Sequence, residues 1–84
     1  MRFQARIHVT LKQVVNDPQG LTVRGALHAL GFAGVQDVRV GKYLELALDA
    51  ADEATAGEQV AEMCRKLLAN PVIEEFRYEL AAAV

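Results

Sequence analysis

The sequence predicts an α+β domain in which an antiparallel sheet carries two helices on one face. Three observations lead there. Residues 2–11 alternate apolar and polar side chains, two later segments repeat apolar residues at helical spacing, and each helical segment is flanked by sequence that reads as strand.

In the opening strand Phe3, Ala5, Ile7, Val9 and Leu11 fall on one side, and Arg2, Gln4, Arg6, His8 and Thr10 on the other. The next signal is N-D-P-Q-G. Asp17 can accept a hydrogen bond from the free amides of a first helical turn, and Pro18 suits the first helical position, where its missing N–H costs nothing. A helix is expected from here, with Val23, Ala26, Leu27 and Leu30 as its apolar stripe and Gly31 as the left-handed residue that ends it.

The third segment, Val35 to Asp49, contains V-R-V-G-K-Y-L-E-L, in which Gly41-Lys42 interrupts an alternating pattern. Val38, Val40, Leu44, Leu46 and Leu48 all carry even numbers. A two-residue hairpin at Gly41-Lys42 would oppose Val40 to Tyr43 and Val38 to Glu45, mixing apolar with polar side chains on one face. Two geometries avoid this. One is an odd-length loop with a Gly bulge that opposes Val40 to Leu44 and Val38 to Leu46. The other is one long strand bent at Gly41, whose far half projects beyond the chain's own sheet and needs a neighbour.

A second helix is expected from A-A-D-E, capped by Asp49 or Asp52, with Val60, Met63, Cys64, Leu67 and Leu68 as its stripe and Glu62 and Lys66 paired on its outer side. Asn70-Pro71 should close it, Asn70 by accepting a left-handed conformation. The last strand, V-I-E-E-F-R-Y-E-L, puts Val72, Phe76, Tyr78 and Leu80 on one face, with Glu74 breaking the pattern. An Ala-rich tail should fray. The order β-α-β(β)-α-β over residues 1–84, one domain without repeat or linker, is related to the ferredoxin-like sandwich.

Composition narrows the function. A chain of 84 residues buries little more than about 60% of its unfolded surface, so a lone protomer is marginal. Cys64 is the single cysteine and no Cys/His cluster could hold a structural metal, which leaves self-association as the expected source of stability. A net charge of −2 with interspersed signs argues against nucleic acid. There is no apolar run near the ~20 residues of a membrane helix, and the N-terminus alternates where a signal peptide would be continuously apolar. A cytoplasmic protein is expected.

Chemistry-bearing groups are sparse. The chain has no Ser, which excludes a serine nucleophile. Gly41-Lys42 lacks the further glycines of a phosphate-binding loop. Cys64 lies on an apolar stripe and reads as a buried structural thiol. His8 and His28 have no evident partner, and Glu74 and Glu75, adjacent in a strand, point to opposite faces and suit an edge that discourages unwanted pairing. Arg39, Lys42, Glu45 and Arg77 are the charged strand residues best placed to serve a partner surface.

Four stretches in this order, D-P-Q-G at 17–20, V-x-x-V-R-V-G-K-Y-L-E-L at 35–46, M-C-x-K-L-L-A-N-P-V-I-E at 63–74 and F-R-Y-E at 76–79, resemble the PurS family over essentially the whole chain. These are the small subunits of phosphoribosylformylglycinamidine synthase in purine biosynthesis. The resemblance implies a subunit without catalysis of its own that bridges a glutaminase and a large synthetase as a dimer or tetramer and helps keep ammonia from escaping. It also implies that the complex uses ATP, Mg and glutamine while this chain binds no cofactor. Asp17, Pro18, Gln19, Gly20, Arg39, Gly41, Lys42 and Glu45 match the family's recurrent positions. The alternative is a ferredoxin-like regulatory dimer that senses a small molecule; it needs a Gly-rich loop and polar groups converging on a pocket. A self-sufficient isomerase or monooxygenase would need clustered acid/base residues.

Overall fold

The computed structural model of the chain describes residues 1–83. Its elements are β1 (Arg2–Leu11), α1 (Pro18–Ala29), β2 (Gly41–Asp49), α2 (Glu53–Met63) continued by a π-helical turn at Cys64–Leu68, and β3 (Glu74–Ala82). The α+β class is the one expected.

β1 is the middle of a three-stranded antiparallel sheet of order β2-β1-β3. Its register opposes Ile7 to Leu44 and Tyr78, Ala5 to Leu46 and Leu80, and Phe3 to Leu48 and Ala82. Opposed residues share a face, so the odd positions of β1 gather with the even positions of its neighbours. Phe3, Ala5, Ile7 and Val9 are buried there beneath α2, which contributes Ala56 and Val60, with Cys64 and Ala69 following. Leu44, Leu46, Leu48, Leu68, Phe76 and Leu80 pack against this cluster but stay half-buried. Burying a side chain such as Ile7 is worth roughly 1.5–3 kcal/mol, so the central strand carries most of the cohesion.

Both helices begin as their sequences dictate. The Asp17 carboxylate accepts from the Gly20 amide at 2.9 Å and the Asp52 carboxylate from that of Thr55 at 2.7 Å. Pro18 opens α1, and Gly31 at φ 101° follows its end. Their placement differs. α2 packs across β1 and β3, whereas α1 stands away from the sheet and buries only Gly20. Two helices on one face were expected, and within the chain only α2 takes that place. The apolar stripe of α1 is uncovered, with Val23 at 41% and Leu30 at 73% exposed. The shape follows: the molecule extends 50 × 29 × 14 Å, with a radius of gyration of 16.3 Å where a compact chain of this length has about 12 Å.

Four local expectations are corrected. At Gly41 the odd-loop hairpin does not form: β2 begins there and pairs with β1, while residues 35–40 lead in from α1 without pairing to β2. Beyond Met63 the Ala69 amide donates to the Cys64 carbonyl at 2.9 Å, a five-residue ring that admits an extra residue and shifts the stripe. Ala69 enters the core, and Leu67, expected inside, is 82% exposed. Asn70 is not left-handed, since no described non-glycine residue has positive φ; its side chain instead accepts from the Val72 amide at 3.0 Å, a short side-chain turn. Nor does the Ala-rich tail fray over its described part, because β1 offers partners as far as its start: Ala82 lies opposite Phe3, and the Ala83 amide donates to the Arg2 carbonyl.

Candidate functional site

The D-P-Q-G and V-R-V-G-K stretches, far apart in sequence, meet at one carboxylate. Asp17 caps α1 through Oδ1, and its Oδ2 accepts from the Val40 amide at 3.0 Å. The Val40 and Gly20 amides, in that order, hold the Asp17 carboxyl below its ordinary range, with the Arg39 charge and the Gln19 amide adding to them against partial desolvation. Arg39 closes the junction from the other side, its guanidinium donating to the Leu11 carbonyl and, at 3.2 Å, to Gln13 Oε1. Pro18 and Gln19 line an open depression beside Val40.

Two glycines are required by this crossing, neither for a positive φ. A Cβ at Gly20 would lie 2.1 Å from the Val38 carbonyl oxygen, and one at Gly41 would lie 2.3 Å from that of Val9. The recurrent glycines therefore allow backbones to approach.

Lys42 and Glu74, the two charged residues that break the apolar parity of their strands, find each other. Lys42 Nζ donates to the Leu68 carbonyl at 3.2 Å and lies 3.9 Å from Glu74 Oε2, while Glu74 Oε1 accepts from the Asn70 amide at 2.7 Å. This cluster fastens the start of β2 to the turn between α2 and β3. Lys42, expected as a partner contact, is thus engaged within its own chain, as is Arg39. The expected Glu62–Lys66 pair is present at 2.7 Å.

Glu45 and Arg77 lie elsewhere, on the sheet face opposite α2. In register, Glu45, Arg6 and Glu79 form one cross-strand row and Tyr43, His8 and Arg77 the next. The Tyr43 hydroxyl donates to Glu45 Oε1 at 2.9 Å, and its ring lies 4.9 Å from that of His8. Desolvation first, then the Glu45 hydrogen bond and charge, push the Tyr43 hydroxyl above its ordinary value. Strand parity showed Glu45 and Arg77 as outward charges. It could not assemble them with Arg6, His8, Tyr43 and Glu79, because that needs the order of the strands.

Nothing in either arrangement aligns a nucleophile with a base. Cys64 is fully buried, and burial pushes its thiol up. Among the described residues no group of three His, Cys, Asp or Glu could hold a metal ion, and no helix is long and apolar enough to cross a membrane.

Comparison with known proteins covers nearly all of this architecture. The family described as PurS, phosphoribosylformylglycinamidine (FGAM) synthase, matches residues 4–82. A phosphoribosylformylglycinamidine synthase subunit PurS from Synechocystis is 51% identical over 95% of this chain and 80% of its own length, and one from Bacillus subtilis is 48% identical over 98% and 96%. Among solved structures, PurS from Thermus thermophilus superposes with a TM-score of 0.87 at 41% identity, covering 100% of both chains. A chain in the structure of PurLQS from Thermotoga maritima gives a TM-score of 0.88 at 32% identity, covering 96% of this chain and 99% of that one.

Proposed function

The chain belongs to the PurS family of phosphoribosylformylglycinamidine synthase, and from that premise we propose how it serves the complex. It is an accessory subunit of this synthase in purine biosynthesis. It joins a glutaminase, which releases ammonia from glutamine, to a large synthetase that uses ATP and Mg to convert formylglycinamide ribonucleotide to formylglycinamidine ribonucleotide. The carrying observation is the whole-chain likeness to a chain of the Thermotoga maritima PurLQS assembly. A tether needs no reactive groups of its own; it has to hold two active sites in register and keep bulk water from the path of a small neutral product. A cytoplasmic location goes with this role.

The tether is a dimer. Each protomer leaves an apolar stripe on α1 uncovered and a half-buried row, Leu44, Leu46 and Leu48, on the apolar face of β2. Arg24 of α1 keeps its guanidinium Nε out of solvent without an acceptor. A second copy supplies what is missing on both sides: its α1 covers the β2 row, and its residues 38–40 add to the free edge of β2, opposing Val40 to Leu44 and Val38 to Leu46. That is the apolar register the sequence favours, made between chains. Reciprocal exchange of this kind gives a closed two-fold assembly.

Reconstitution tests the role. Glutamine-dependent turnover by the synthetase and glutaminase should require this chain, while ammonia-dependent turnover by the synthetase should not. Full glutamine-dependent activity in its absence would sink the tether.

A further inference from the structure

We propose that the free edge of β3 is a self-association surface, to which another copy of this chain adds its own β3 antiparallel with the two Tyr78 residues opposed. This edge is independent of the synthase reading and of the surfaces that pair through α1. β3 runs nine residues along the margin of the sheet without a proline, a glycine or a bulge, and an edge of that kind accepts further strands. Two hydrogen bonds fix which way its backbone points. The Lys12 amide donates to the Ile73 carbonyl and the Ala83 amide to the Arg2 carbonyl, so the odd residues of β3 turn their backbone groups to β1 and the even ones turn theirs outward. Among the described residues the outward amides of Phe76, Tyr78, Leu80 and Ala82 have no acceptor. That of Glu74 donates to the Asn70 carbonyl at 2.7 Å and closes the edge at that end.

An added antiparallel strand meets this row only in registers that oppose even residues to even. One of them also matches the side chains. With Tyr78 opposite Tyr78, Phe76 meets Leu80 on the apolar face and Arg77 meets Glu79 on the open face, each pair formed twice about a two-fold axis. The two glutamates expected to discourage pairing, Glu74 and Glu75, fall opposite Ala82 and Ala81. Other centres fail. Arg77 as centre opposes Arg77 to itself and Glu75 to Glu79, and Glu79 as centre opposes Glu79 to itself. Phe76 as centre runs the copy's strand into the turn at residues 70–73, and Leu80 as centre leaves Phe76 and Arg77 beyond the copy's strand. The edge thus complements itself, which names the occupant as a second copy. Above it α2 presents Ala54, Gly57 and Ala61, which with Tyr78 and Leu80 line an open groove of about 1110 Å³, leaving room for the copy's Tyr78 beside the first.

Charge reversal tests the register. Arg77→Glu and Glu79→Arg each set like charges opposite one another in this pairing, whereas a mixture of the two variants restores opposite charges at both positions. In sedimentation of the full chain, the parent should associate beyond the dimer as concentration rises. Either variant alone should weaken that step about tenfold or more, and the equimolar mixture should recover it. A variant that associates as far as the parent overturns the proposal, as does a mixture that gains nothing over its components. If a variant fails to fold by circular dichroism, amide exchange in the parent decides. The Phe76, Tyr78 and Leu80 amides should exchange more slowly at high than at low protein concentration, and rates independent of concentration overturn the proposal.

Discussion

The two helices are near equals in sequence and opposites in placement. Each is capped by an aspartate, each carries an apolar stripe, and they differ by one residue in length, yet α2 buries Ala56, Gly57 and Val60 while α1 buries only Gly20. Local sequence decides that a helix forms and which side is apolar. It does not decide what covers that side. The α2 half packs within the chain, whereas the α1 stripe stays exposed, Val23 and Leu30 among it.

Substitutions that separate the halves sharpen this contrast. The largest effect belongs to the α2 half: Ile7→Ala empties a fully buried site and should lower stability by roughly 2–5 kcal/mol, measured by urea unfolding, to the same extent at every protein concentration. At the boundary between halves, Gly41→Ala drives a methyl against the Val9 carbonyl and should cost about 1–3 kcal/mol by the same measure; tolerance of alanine would mean the crossing is looser than drawn.

In the α1 half, Val23→Asp should leave the helical circular-dichroism signal intact but weaken association at least tenfold, about 1.4 kcal/mol, in sedimentation. Unchanged association would break the contrast, because the α1 stripe would then be ordinary surface. The smallest effect is a change of pH profile. The Asp17 carboxyl is depressed in the folded chain, so its contribution is fully present above the unfolded value of about 3.9 and is lost as pH falls through the lower folded value. Asp17→Asn keeps a helix cap but removes that charge. Its Tm should fall below the parent's at neutral pH and converge with it in acid; a gap that persists there would locate the effect in packing instead.

Much of the α2 half was legible because its signals are local. Alternation marked Arg2–Leu11 as the first strand, Asp17-Pro18 marked a helix start, and Glu62–Lys66 marked a solvated helix side. The π-helical turn was hidden, since an extra residue in one turn leaves no mark in composition, and Leu67 was therefore placed inside. The recurrent residues of the candidate site were visible as motifs, but their work was not. Asp17 meets Val40, Arg39 meets Leu11, and Lys42 meets Glu74 only after the chain has crossed itself. One signal for the last pair was present: Lys42 and Glu74 each break an apolar row, and charges that do so on the same face of one sheet have reason to meet. The even parity around Gly41 leaves an odd-loop hairpin and one long bent strand open, and the chain takes neither: β2 starts at Gly41, and residues 36–40 lead into it outside any strand.

Sedimentation equilibrium across a wide range of protein concentration tests the exposed α1 stripe as a pairing surface most directly. A protomer mass of 9.2 kDa should double in a reversible association, with cooperative thermal unfolding shifting upward as dimer accumulates. A chain that stays at the protomer mass at every concentration, with a concentration-independent Tm, would contradict it.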